Sequence, residues 1–142
     1  MKTIKRILDL KGTAVWSIGP NKMVFDALTL MGEKNIGALP VLEDDRLVGI
    51  ISERDYARKV ILKGKTSRET QVSDIMTAPV ICTHLKQTVE ECMEVMTEHR
   101  IRHLPVVEAG QLVGIISIGD LVKTIIADQQ FMIEQLENYI VQ

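Results

Sequence analysis

The chain has 142 residues, of which 46% are hydrophobic and 25% charged, with a net charge of −2. That balance suits one globular domain of moderate size or two small ones sharing a core. It argues against nucleic acid as the main partner, which selects a basic excess, and no apolar run reaches membrane-spanning length.

Residues 3–10 read as a short helix, because Ile4, Ile7 and Leu8 fall at i, i+3 and i+4 and Gly12 follows as a stop. Asp9 and Lys11 interrupt the apolar stretch a signal peptide would need. A cytoplasmic protein is therefore expected, neither exported nor membrane-bound. Residues 14–18 read as a strand broken by Gly19-Pro20-Asn21. Val24, Ala27, Leu28 and Met31 then form one helical face, ended by Gly32 and the polar Glu33-Lys34-Asn35. Two short, almost uniformly apolar strands flank Glu43-Asp44-Asp45-Arg46 and are expected to be covered on both faces. A helix is predicted from Ser52 to about Lys63, and polar residues 63–71 read as a linker.

The pattern then repeats at an offset of about 65 residues. A helical turn over 72–76 mirrors 7–11, with Asp74 at the place of Asp9. Residues 79–83 read as a strand, and Thr88 with Glu91 predicts a capping box. Val89, Cys92, Met93 and Met96 match Val24, Ala27, Leu28 and Met31. Residues 101–108 and Gln111–Ser117 form the strand pair around Gly110, and a helix starts at Ser117. Each unit is thus β-α-β-β-α. Residues 127–142 have no counterpart. Met132, Leu136, Tyr139 and Ile140 make an apolar stripe on an amphipathic helix that either packs back or meets another subunit.

Cys82 and Cys92 show no disulfide framework and read as reduced thiols. Cys92 with His99, and Cys82 with His84, lack a known metal-ligand spacing. Cys92 stands at a core position. Ser52 and Ser117 lack the setting of a nucleophile elbow, so no catalytic residue is assigned.

Leu39-Pro40-Val41 followed by Leu47-Val48-Gly49-Ile50-Ile51-Ser52-x-x-Asp55 recurs as Leu104-Pro105-Val106 followed by Leu112-Val113-Gly114-Ile115-Ile116-Ser117-x-x-Asp120. This doubled pattern resembles a pair of cystathionine-β-synthase (CBS) domains, a Bateman module of the stand-alone signal-transduction type. The resemblance covers nearly the whole chain. It implies an α/β fold of two tandem β-α-β-β-α repeats with pseudo-two-fold symmetry, over 7–62 and 72–127, plus a C-terminal amphipathic helix over 128–142. It also implies a regulatory, non-enzymatic module that binds an adenine nucleotide (AMP, ADP, ATP or NAD) and senses energy or redox state by changing conformation. A homodimer, built as a flat disc, and an unknown regulated protein are the implied partners. S-adenosylmethionine fits less well, since a cationic, phosphate-free ligand has no use for Arg54, Arg58 and Arg102.

Two readings stand for each Ser-x-x-Asp. As a cap, Ser52 or Ser117 accepts from a backbone N–H, and Asp55 or Asp120 faces the positive helix end. As a binding site, the carboxylate accepts both hydroxyls of a ribose while the free N–H groups attract an anion. Arg54 and Arg58, four apart, suit phosphate oxygens or form a solvated face. Arg54 is replaced by Gly119 in the second repeat, beside Ile118, so the two sites are not equivalent. The resemblance sets the backbone of Ile36, Gly37 and Ala38, ahead of Pro40, and of Ile101, Arg102 and His103, ahead of Pro105, against the adenine. Gly37 and Ala38 leave room for a flat ring, and Arg102 and His103 can reach phosphates. The alternative is a ligand-free interaction module that works through dimerisation and its C-terminal helix.

Overall fold

A computed structural model describes residues 2–141. The elements run α1 (Ile4–Lys11), α2 (Val24–Lys34), β1 (Ala38–Glu43), β2 (Arg46–Ser52), α3 (Glu53–Tyr56), a π-helical turn (Ala57–Ile61), α4 (Val72–Ile75), α5 (Val89–His99), β3 (His103–Glu108), β4 (Gln111–Ser117) and α6 (Ile118–Val141). The strands form two separate pairs, β1–β2 and β3–β4, and β1–β2 is antiparallel.

Each pair closes through a two-residue turn whose residues have positive φ, Asp44 and Asp45 in one, Ala109 and Gly110 in the other. That turn matches the right-handed twist of the strands. The strands expected at 14–18 and 79–83 shrink to one bridge residue each. Ile18 bridges Val41, and Thr83 bridges Val106, both in parallel. Ile18 donates to the Pro40 carbonyl at 3.1 Å and Thr83 to that of Pro105 at 2.9 Å.

The chain gathers into two compact units. One holds Ala14–Ile81 with Ala109–Leu112. The other joins the segment up to Thr13 with Cys82–Glu108 and the segment from Val113 onward. These units exchange their leading segments relative to the sequence repeats. In the first unit the Val72 amide donates to Lys22 O and that of Ser73 to Pro20 O, which ties α4 to the entry of α2. In the second unit the Ile4 amide donates to Gln87 O and that of Val89 to Lys2 O, tying α1 to the entry of α5 in the same way. The first core contains Val24, Ala27, Met31, Leu39, Val41, Ile51, Val60, Val72 and Ile75. In the second unit Ile4, Ile7, Leu8, Val89, Cys92, Met96, Leu104, Val106, Ile116 and Leu121 are buried.

The glycine before each Ile-Ile-Ser is set by this packing. A Cβ on Gly49 would lie 2.8 Å from Met76 Cγ, and one on Gly114 would lie 2.8 Å from Leu8 Cδ1. Both strands thus receive a leading-segment side chain where no methyl fits.

Several local details differ from the sequence reading. The expected helix over 52–63 is four α-helical residues followed by a π turn, in which Leu62 N donates to Ala57 O at 3.1 Å. The expected linker is docked. Thr70 is buried, its carbonyl accepts from Val24 N at 2.8 Å, and that of Ser67 accepts from Phe25 N at 3.0 Å. The capping box at Thr88 is half formed. Thr88 Oγ1 accepts from Glu91 N, but the Glu91 carboxylate takes the Thr88 hydroxyl and not the backbone amide. The helix from Ser117 and the C-terminal helix are one element, α6, of 24 residues, with Gln142 outside the described residues.

Candidate functional site

In the first unit the predicted residues converge at the end of β2. Ala38 pairs with Ser52 in the β1–β2 register, and Glu53 N donates to Gly37 O at 3.1 Å. Ser52 caps α3 by accepting from Asp55 N at 3.2 Å. Asp55 is only 8% exposed, and both its oxygens are engaged. Oδ2 accepts from Ser52 N at 3.0 Å and from Ser52 Oγ at 3.1 Å. Oδ1 accepts from Thr77 Oγ1 at 3.2 Å and pairs with Lys59 Nζ at 3.1 Å. Lys59 also donates to the Ile75 carbonyl at 3.0 Å, so the carboxylate joins α3, the π turn and the α4 segment.

Ile36 and Gly37 line an open cavity of about 390 Å³ with Leu28, Met31 and Glu53. Its wall mixes the apolar Leu28, Met31 and Ile36 with the polar Asn35 and Glu53 and carries no cation. Arg54 and Arg58 are exposed but stand on different elements, α3 and the π turn. The change of helical pitch removes the simple i, i+4 alignment the sequence suggested. Pro40 is buried within β1.

The second unit repeats the backbone scheme with different side chains. Ile118 N donates to Arg102 O at 2.8 Å, the counterpart of the bond from Glu53 to Gly37. Ser117 N donates to Asp120 Oδ2 at 2.8 Å, and Asp120 N donates to Ser117 Oγ at 3.2 Å. Here the cap opens a 24-residue helix, whose N-terminus carries a substantial positive end. Lys11, the last residue of α1, donates to Asp120 Oδ2 at 2.7 Å and to the Ile115 carbonyl at 2.8 Å. No hydrogen bond reaches Asp120 Oδ1 among the described residues. Asp120 lines an open cavity of about 390 Å³ with Lys11, Arg6 and Lys123.

Burial opposes ionisation of Asp120, but the hydrogen bonds from Lys11 and Ser117 outweigh it and hold the carboxyl below its usual range. His103, half-buried at the start of β3, is pushed below the ordinary imidazole value. Burial is the main cause and the Lys11 charge the next. Asp120 acts in the opposite direction, and Arg102 reinforces the lowering. Ile101 is half-buried, Arg102 and Gly119 are exposed, and Pro105 is buried in β3.

Three residues absent from the sequence reading thus govern the two carboxylates. Lys59 was legible as an i+4 partner of Asp55. Thr77 and Lys11 carry no local signal, because they arrive from 22 and 109 residues away.

No helix among the described residues is long and apolar enough to cross a membrane. A model of the CBS domain family matches residues 9–62 and 72–127. A CBS-domain protein of Burkholderia ambifaria MC40-6, assigned to signal transduction, superposes with a TM-score of 0.87 at 50% identity, covering 90% of this chain and 96% of that one. The mitochondrial CBS domain-containing protein CBSX3 of Arabidopsis thaliana is 40% identical over 122 residues. That match takes in 82% of this chain but 59% of its own length. The CBS domain pair of protein MJ0100, solved with 5′-methylthioadenosine and S-adenosyl-L-methionine, superposes with a TM-score of 0.80 at 25% identity, covering 90% of this chain and 98% of that one. Two matched repeats, together spanning most of the residues, place this chain in the CBS domain family.

Proposed function

We propose that this CBS pair is a regulatory module that binds an adenine nucleotide, AMP, ADP, ATP or NAD, and passes its binding on as a conformational change. Asp120 is the ribose acceptor in this reading. The observation that carries it is the unequal state of the two carboxylates. Asp55 has both oxygens engaged inside the first unit. Asp120 keeps Oδ1 unbonded beside an open cavity and stands in the first turn of a long helix. A carboxylate accepts two adjacent hydroxyls only if its oxygens can be reached.

The setting in this reading is cytoplasmic, the assembly a homodimer, and the output an unidentified regulated protein. A second reading, an interaction module, is favoured by the exposed stripe of α6. Met132 is 62%, Leu136 59%, Tyr139 81% and Ile140 80% exposed.

Calorimetric titration of Asp55→Asn and Asp120→Asn with the four nucleotides, alongside melting curves, tests the ribose assignment. Asp120→Asn is expected to weaken binding by about tenfold to a hundredfold with little loss of stability, since Asn caps well. Asp55→Asn is expected to lower the melting temperature instead. Unchanged affinity in Asp120→Asn would overturn the assignment.

A further inference from the structure

The apolar residues of α6 keep a seven-residue period. Val122, Ile126, Gln129, Ile133, Leu136 and Ile140 follow one another at alternating steps of four and three, the spacing of a coiled-coil seam. Ile126, Ile133 and Ile140 hold the first core position of the heptad, and Val122, Gln129 and Leu136 the second. All six are exposed. The helix packs on its own unit along a neighbouring side, where Leu121 is buried and Thr124, Ile125 and Asp128 are half-buried. The seam is therefore a second apolar face. Phe131, at an outer position of the heptad, is left out of it.

The flanks of the seam decide how two such helices pair. Ile125, Met132 and Tyr139 precede the first core positions, and Lys123, Gln130 and Glu137 follow the second ones. In a parallel pair these two sets meet each other. That sets Met132 against Glu137 of the second copy and gives Lys123 no acidic neighbour. In an antiparallel pair each set meets itself. In the register that uses all six core positions, Met132 lies beside its own counterpart and Ile125 beside Tyr139. On the other edge Lys123 faces Glu137, once at each end. Lys123 and Glu137 are exposed and make no ion pair within the chain among the described residues. The two Gln129 side chains fall in the two central layers, where their amides can meet across the axis. A polar core residue of this kind fixes register, and opposed helix dipoles favour the same orientation.

We propose that the exposed seam of α6 docks the α6 helix of a second copy of this chain, and that the two helices pair antiparallel. The self-complementary edges argue for this occupant, apolar against apolar on one side and Lys123 against Glu137 on the other. The proposal rests on the homodimer of the reading above and supplies its surface, but it does not depend on the nucleotide. Pairing gives the stretch from Gln129 to Val141, exposed throughout, a packed face along its length. The outermost layer seats Ile140 of the second copy on Val122, two residues beyond Asp120. The contact between copies thus ends next to the cap that opens α6.

The test is sedimentation equilibrium of the wild-type chain, of Ile133→Glu, and of K123E, E137K and K123E/E137K. The substituted side chains are all exposed, and unchanged melting curves check that the fold is kept. Wild type is expected to dimerise, and Ile133→Glu to weaken the dimer at least about a hundredfold, since it buries a charge from each copy. K123E and E137K each set like charges opposite one another at both ends and should weaken it about tenfold. The double variant restores opposite charges and should return to within about threefold of wild type. Single charge variants that associate as tightly as wild type, or a double variant weaker than either, overturn the antiparallel pairing. A dimer untouched by Ile133→Glu overturns the seam and leaves the homodimer standing. A wild-type chain that stays monomeric at high concentration overturns both.

Discussion

Lys11 Nζ lies 2.7 Å from Asp120 Oδ2, joining the last residue of α1 to the first turn of α6 across 109 residues of sequence. The aligned aspartate of the first repeat, Asp55, takes the Thr77 hydroxyl from the α4 segment and Lys59 from its own helical segment. Asp55 has both oxygens engaged within its unit, whereas Asp120 is held by its own cap and by one long side chain on a single oxygen. Two copies of one sequence motif are therefore held in different ways.

Replacing Lys11 by Met, the residue at the matching place in the second repeat, should cost about 1 kcal/mol at neutral pH, because the pair is partly exposed. The cost should depend on pH. The folded-state pKa of Asp120 lies below its unfolded value, so its contribution is present above that unfolded value. It is lost as pH falls through the folded one. The gap between wild-type and K11M urea midpoints should thus be open at pH 7 and close below about pH 4. An equal gap at both ends would mean that Lys11 contributes packing and not charge.

His103 should titrate below about 6.5. Its folded-state pKa is depressed, so its contribution to stability is complete above the unfolded value and is lost as pH falls through the folded one. K11M removes a nearby cation and leaves the Asp120 charge without its counter-ion beside the ring. Both effects should move the His103 titration upward. Proton NMR of the imidazole in the two proteins measures this, and an unmoved midpoint would show that burial alone sets it.

Gly49→Ala should cost about 1–3 kcal/mol, the range for overpacking a filled interior. The new methyl meets Met76 at its Cγ as well as its sulfur, so the side chain cannot simply swing its tip away. Met76→Ala should relieve part of that loss. In a denaturation cycle the double variant is expected to lose less than the two single variants combined. Strict additivity would place the strain elsewhere.

The exposed stripe of α6 predicts self-association. Every residue from Gln129 to Val141 is exposed, and a stretch of α6 with no packed face gains little stability alone in water. Glutamate at Met132 and Leu136 should shift sedimentation of the protein toward a smaller species without unfolding it. A wild-type chain that already sediments as a monomer at high concentration would refute this.

What the sequence determined by itself was whatever is decided within a few residues. The offset repeat, the helical faces of α2 and α5, the two tight turns and the Ser-x-x-Asp caps all follow from spacing and local chemistry. Periodicity, turn geometry and capping are settled inside one or two turns of chain. The expected strands at 14–18 and 79–83 failed as strands because one pair of backbone bonds to the neighbour satisfied them and no regular ladder formed. The π turn after α3 was equally invisible, since Lys59 is placed there to reach both Asp55 and the Ile75 carbonyl. Tertiary structure alone decided which leading helix meets which strand pair, and with it the partner of each aspartate. Asp55 and Asp120 close the same Leu-Val-Gly-Ile-Ile-Ser-x-x-Asp pattern. Their difference in availability comes from Thr77 on one side and Lys11 on the other, residues delivered by packing that no local pattern encodes.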